Sequence, residues 1–245
     1  MVIEISEQQF QDYLYCPIYY ALRYNSKLKV EKPPTISKLL SRIAQGFCQK
    51  LKDGEVDNLY NLKRKWSMYC KKYPEIINDA NNRYGMDMVY KMFLWAEEQE
   101  LRIAAVGTPY EIKIKADYDI IKYHGQLGII GVIKNNTPEN IVFNFNRQVP
   151  DQANIDLNLK TSLDHIGFNT LYEGGLSGTR IHHVKSSVDF FTTRDVNQEL
   201  QRTASIIKNV VKSIQQNIWY PHESVMCPHC ITRDFCLLYG RNNSF

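Results

Sequence analysis

The sequence predicts an α/β or α+β domain in which a central mixed sheet is flanked by helices. Three observations lead there. Roughly the first hundred residues carry apolar side chains at helical spacing. The period drops to two from residue 111 onward. A helix, a strand and a long amphipathic helix then follow. At 245 residues, with 44% apolar and 23% charged side chains, the chain is long enough for one large domain and a sizeable core without disulfides. The expected division is a single domain, 1–245, with a helical insertion over 23–106, a sheet core over 107–192, and a C-terminal helix and cysteine cluster over 193–245.

Ser6 and Gln9 form a capping-box pattern, and Phe10, Tyr13, Leu14 and Ile18 follow at helical spacing, so a helix is placed near 6–22, interrupted at Pro17. Leu39, Leu40, Ile43, Phe47 and Leu51 give a helix over 36–52. Segments 57–73 and about 86–104 also read as helices, with Asn81, Asn82 and Gly85 between them. Ile112, Ile114, Ala116, Tyr118 and Ile120 alternate with polar residues, which predicts a half-buried strand over 111–120. A turn at His124-Gly125, a strand over 126–134, a turn at Asn135-Asn136 and a strand over 141–146 complete an antiparallel meander. Ile155, Leu159, Leu163 and Ile166 predict a helix over 153–168. A glycine loop at 174–178, a strand over 181–192 and a helix over 195–217 follow.

No stretch of about 18 apolar residues is present, and the N-terminus lacks the basic and apolar regions of a secretory signal. The expected location is therefore cytoplasmic: nucleoid-associated, or the host cytoplasm if the protein is viral. No membrane partner is expected. In that compartment six cysteines point to metal binding or inert burial rather than disulfides. Cys227-Pro-His-Cys230 and Cys236 are close enough to share one metal centre. Cys16 is the obvious fourth ligand, with His222 and His229 as alternatives. Cys48 and Cys70 lie on helical patterns and read as packing residues. Spacing alone suits zinc as well as an iron–sulfur cluster.

Read together, the two ends carry a resemblance. Ser6, Tyr13, Cys16-Pro17 and Tyr20 form a Ser-led helix followed by Tyr-x-x-Cys-Pro-x-x-Tyr. Trp219-Tyr220-Pro221 precedes Cys227-x2-Cys230-x5-Cys236. This pairing resembles the iron–sulfur, RecB/AddB-like branch of the PD-(D/E)XK nuclease superfamily, which includes the CRISPR-associated four-cysteine exonucleases. The resemblance implies a restriction-endonuclease-like core. It also implies a 4Fe–4S cluster on Cys16, Cys227, Cys230 and Cys236, stapling the chain ends, with zinc as the alternative.

The same resemblance implies an active site that this sequence lacks. The family pattern is Gly-x-x-Asp on one strand and (Asp/Glu)-x-Lys on the next. Here Gly131 stands for the Asp, Asn144 for the second carboxylate and Asn146 for the lysine. The histidine expected near Gly46 and the Gln-x-x-x-Tyr helix are also missing; Asn158 and Ser162 are the nearest pair. Hard cations need charged oxygen ligands, so no catalytic Mg²⁺ or Mn²⁺ is expected. The expected function is an inactive accessory factor that binds DNA, or RNA, within a larger replication, recombination or repair complex. One alternative is an active metal-dependent nuclease with a relocated site built from Glu111, Asp117, Asp119 and Lys160, the last on a strand reading of 156–160. Another is a protein–protein scaffold. The plainer reading of those acids is a solvated strand face.

The net charge of +4 permits nucleic-acid binding without requiring it. Lys63, Arg64, Lys65, Trp66, Lys71 and Lys72 interleave cations and aromatics as a phosphate-contacting, base-stacking surface would. The plainer reading is a solvated helix face with Trp66 turned inward.

Overall fold

The computed structural model describes residues 1–28, 33–55, 57–134, 137–172, 178–192, 194–224 and 227–236. The expected turn at Asn135-Asn136 and most of the glycine loop lie outside these residues. The elements are β1 (Val2–Ser6), α1 (Glu7–Tyr15), α2 (Pro17–Tyr20) with a π-helical turn over Ala21–Asn25, α3 (Ile36–Lys52), α4 (Leu59–Lys72), α5 (Asp79–Glu98), β2 (Arg102–Ala116), β3 (Asp119–Val132), β4 (Pro138–Asn144), α6 (Gln152–Leu157), α7 (Leu159–Leu171), β5 (Thr179–His183), β6 (Val188–Phe191) and α8 (Val196–Gln215). The strands form one mixed sheet, ordered β1-β3-β4-β5-β6 with β2 also on β3, and helices flank it. β1 runs parallel to β3, β4 antiparallel to β3, β5 parallel to β4 and β6 antiparallel to β5. No helix among the described residues is long and apolar enough to cross a membrane.

The chain divides into two compact units, which cut across the expected domain limits. The first gathers Met1–Pro33, Glu111–His124 and Gln201–Phe245; the second gathers Pro34–Tyr110 and Gly125–Leu200. Both chain ends thus share the first unit with the hairpin turn. In that unit Ser6 caps α1 with both hydrogen bonds of a capping box. Phe10 packs edge-on against Tyr123.

In the second unit α3, α4 and α5 bury Leu40, Phe47, Trp66, Met88 and Trp95 with the Ile129, Ile141 and Phe143 side chains of β3 and β4. Thr35, Asn58 and Asn78 each cap one of these helices through a side-chain oxygen. Asn81, Asn82 and Gly85, expected to separate helices, lie inside α5. Asn82 and Gly85 receive Trp66 there, and Asn81 donates to the Ile76 carbonyl. A Cβ on Gly85 would stand 2.0 Å from the indole, and the indole Nε1–H donates to the Asn82 side chain at 3.0 Å.

The β meander also departs from expectation. β2 ends at Ala116, and the chain reverses at Asp117-Tyr118, where Asp117 has φ of +43°. β3 then continues straight through His124-Gly125. The expected helix over 153–168 is two helices, because Asn158 leaves helical geometry and caps α7. The expected strand over 181–192 is a hairpin, β5 and β6, turning at Ser187 with φ of +55°.

Candidate functional site

Cys16 stands at the break between α1 and α2. Its backbone is extended and Pro17 occupies the first position of α2, so the helical path is interrupted at the thiol. Cys227 opens a 3₁₀ turn, and the Cys230 N–H donates to the Cys227 carbonyl at 3.1 Å. A second 3₁₀ turn over Arg233–Phe235 ends at Cys236. These turns put all four thiols on one concavity of the first unit, shared with Tyr15, Ile18, Tyr19, Pro221 and His222. The Tyr15 hydroxyl is pushed up by burial and then by the nearby Cys230, Cys227 and Cys16 sulfurs. The Ser224 N–H donates to Cys227 Sγ at 3.3 Å.

Among the described residues no three His, Cys, Asp or Glu side chains are drawn tightly enough together to ligate a single ion. Four thiols with a backbone donor to one of them suit a soft centre. His222 lines the same concavity, its Nδ1 3.2 Å from the Tyr15 carbonyl, whereas His229 does not line it. Cys48 is buried, which pushes its thiol up to about 12 and leaves it inert. Cys70 lies against Asn82.

In the second unit Asn144 ends β4 and its side-chain oxygen accepts from the Asn146 N–H at 2.9 Å. The Asn146 side chain is exposed and meets Ser37 Oγ at 3.5 Å. Gly131 does not join them. It pairs with Glu139, so it faces as Ile141 and Phe143 do, away from Asn144. A Cβ there would stand 2.9 Å from both Ile141 and Leu101, so a carboxylate at 131 would be forced into the apolar core. The β3 position on Asn144's face with open space for a side chain is Gly128. Register, which the sequence spacing did not reveal, turns Gly131 away from Asn144.

The fallback acids are occupied elsewhere. In the first unit Glu111 is shared by Lys122, Lys113 and His124 at 3.5 to 3.9 Å, and Asp119 lies 2.9 Å from the Met1 amino group. Asp117 is exposed in the hairpin turn. In the second unit Lys160 pairs with Asp164 one turn along α7, so the strand reading of 156–160 is corrected to helix.

The α4 stretch is corrected at Trp66, and Lys65 is paired within the fold. Trp66 is fully buried and cannot stack on a base. Lys65 lies 3.0 Å from Asp57, whose side chain is fully buried. Arg64, Lys71 and Lys72 remain exposed, and Lys63 lies over the Tyr90 ring.

Buried charge is concentrated in β4, β5 and β6. Arg180 is bonded to both oxygens of Glu139 and to Asp189, and His182 Nδ1 meets Asp189 at 2.7 Å while Trp95 stacks on its ring. Burial alone would raise the Asp189 carboxyl. The bond from His182, with Arg180 behind it, outweighs burial and holds it low.

No family model and no curated protein matches the chain. One solved structure, described as the crystal structure of SSO0001, is similar over 95% of this chain and 94% of its own, at 10% identity and a TM-score of 0.37. A likeness of that size carries no argument about function.

Proposed function

We propose that the chain is an iron–sulfur, PD-(D/E)XK nuclease-like protein that binds nucleic acid, DNA foremost, as a non-cleaving accessory factor in replication, recombination or repair. The observation that carries this reading is the end of β4. Where the motif resemblance calls for a carboxylate and a lysine, Asn144 and Asn146 stand, and Asn144 bonds to the backbone of its own turn. Neutral amides do not supply the charge that holds a dication, and no lysine there orients water. Neither Gly128 nor Gly131 restores a carboxylate on the neighbouring strand. Cys16, Cys227, Cys230 and Cys236 would hold the cluster, which ties the chain ends together and carries no step of a reaction. The mixed sheet with flanking helices is compatible with this reading.

The test is binding of a labelled DNA oligonucleotide at two salt concentrations. Affinity that falls steeply with salt is expected, because phosphate contacts release counterions. Absence of binding at low salt would leave the protein–protein scaffold in its place.

A further inference from the structure

β4 and β5 are parallel, with Asn144 beside His183, so the chain leaves both strands at the same edge of the sheet. The residues just beyond are cationic. Arg147 follows β4 and Lys185 follows β5, and both are exposed. The Lys185 ammonium donates to the Arg147 carbonyl at 3.0 Å, and the Lys91 ammonium on α5 donates to the Lys185 carbonyl at 2.9 Å. The Arg147 guanidinium is fixed on two sides. It lies 4.7 Å over the Tyr84 ring and donates to the Asn81 side chain at 2.6 Å. Tyr84 is itself held by its hydroxyl, which donates to the Phe145 carbonyl at 2.8 Å.

Arg147 and Lys185 have no carboxylate partner among the described residues; Lys91 has Asp87 at 3.3 Å. Three cations linked through carbonyl oxygens with one carboxylate between them repel one another, and an anion relieves that repulsion. The guanidinium keeps donors beyond the one given to Asn81, in the planar fork that suits phosphate. A carboxylate-bearing strand end repels phosphate and needs a dication between the two. Here the strand end carries the amides of Asn144 and Asn146, so the strand itself brings no negative charge, and Asp87 beside Lys91 is outnumbered by three cations.

We propose that Arg147, Lys185 and Lys91 form a binding site for a backbone phosphate of nucleic acid, contacted directly and without a divalent metal. This rests on the nucleic-acid reading above. The sequence alone does not reveal the site, because the three residues are far apart in the chain and meet only through the β4–β5 pairing.

The experiment is fluorescence anisotropy of the full chain with a labelled single-stranded oligodeoxynucleotide across a salt series, in EDTA and in Mg²⁺. Wild type should bind in EDTA, with no gain on adding Mg²⁺. The Arg147→Gln, Lys185→Gln pair should lower the slope of log affinity against log salt by roughly 0.7, the share of one phosphate on a single strand. Arg147→Lys should restore part of it. Both side chains are exposed, so melting should be unchanged, and Lys185→Gln alone serves if the Arg147 change perturbs folding. An unchanged slope in a folded variant, with wild type binding, overturns this site and leaves the accessory-factor reading intact. Binding that requires Mg²⁺ overturns direct phosphate contact. A wild type that binds no oligonucleotide at low salt overturns both.

Discussion

Tyr20 stacks on Trp219 with ring centroids 5.8 Å apart and planes 19° from parallel. Tyr13 meets the same indole edge-on, and its hydroxyl donates to the Ile218 carbonyl at 3.0 Å. The tyrosines of the opening motif and the tryptophan of the closing one therefore touch directly, and the cysteines of both motifs line the concavity of the same unit. Aromatic packing of this kind fixes the two chain ends beside each other.

Protein purified without oxygen should be brown, with on the order of four irons per chain. Cys16→Ala and Cys230→Ala should lose iron and melt well below wild type, because ligation contributes folding free energy directly. Cys70→Ser lies outside the concavity and should do little. Stoichiometric zinc without iron would keep the site and reject the cluster. A Cys230→Ala variant that melts with wild type would remove the structural role.

On α4, the nucleic-acid contribution should come from the exposed Arg64, Lys71 and Lys72. Changing these three to Gln should reduce the salt dependence of DNA binding without altering the melting temperature. Lys65→Gln should do the reverse. It strips Asp57 of its 3.0 Å partner and leaves the Asn61 side chain and Lys50 at 3.8 Å, so the fold weakens while DNA affinity per folded molecule holds. Thermal melts and anisotropy on the same samples separate the two outcomes.

Gly85→Ala places a methyl into the Trp66 indole. Overpacking of that size costs about 1–3 kcal/mol. Chemical denaturation should show a lower midpoint; an unchanged midpoint would mean that the indole moves aside freely.

Asp189 titrates below its ordinary value of 3.8 in the folded chain. A depressed folded carboxyl gives stability that is fully present above the unfolded value of about 3.9 and is lost as pH falls through the folded one. Asp189→Asn should therefore be less stable than wild type at neutral pH, and the gap should close as pH drops below about 4. A gap that stays constant into acid would show that the His182 and Arg180 contacts do not stabilise the carboxylate.

Much of this fold was legible in residue order. α3 lies where Leu39, Leu40, Ile43, Phe47 and Leu51 place it, because its apolar stripe meets the core along the whole length. The hairpin turn was hidden, because the alternation of 111–120 runs on through Asp117-Tyr118 although Tyr118 is 99% exposed. Gly85 read as a breaker because its role belongs to Trp66, nineteen positions earlier in the chain. That Cys16, Cys227, Cys230 and Cys236 share one concavity was legible, since two short motifs name all four residues. The strand-end site was not. Which face Gly131 takes depends on register, and Arg147 and Lys185 become neighbours only through strand pairing.

On the proposed function the chain engages nucleic acid without cutting it. This is tested by incubating the anaerobically purified protein with end-labelled single- and double-stranded DNA in Mn²⁺ and resolving the products on native and denaturing gels. The account predicts retarded but full-length DNA. Shortened products that depend on Mn²⁺ and disappear in Asp119→Ala would contradict it and place an active site on the β2–β3 hairpin.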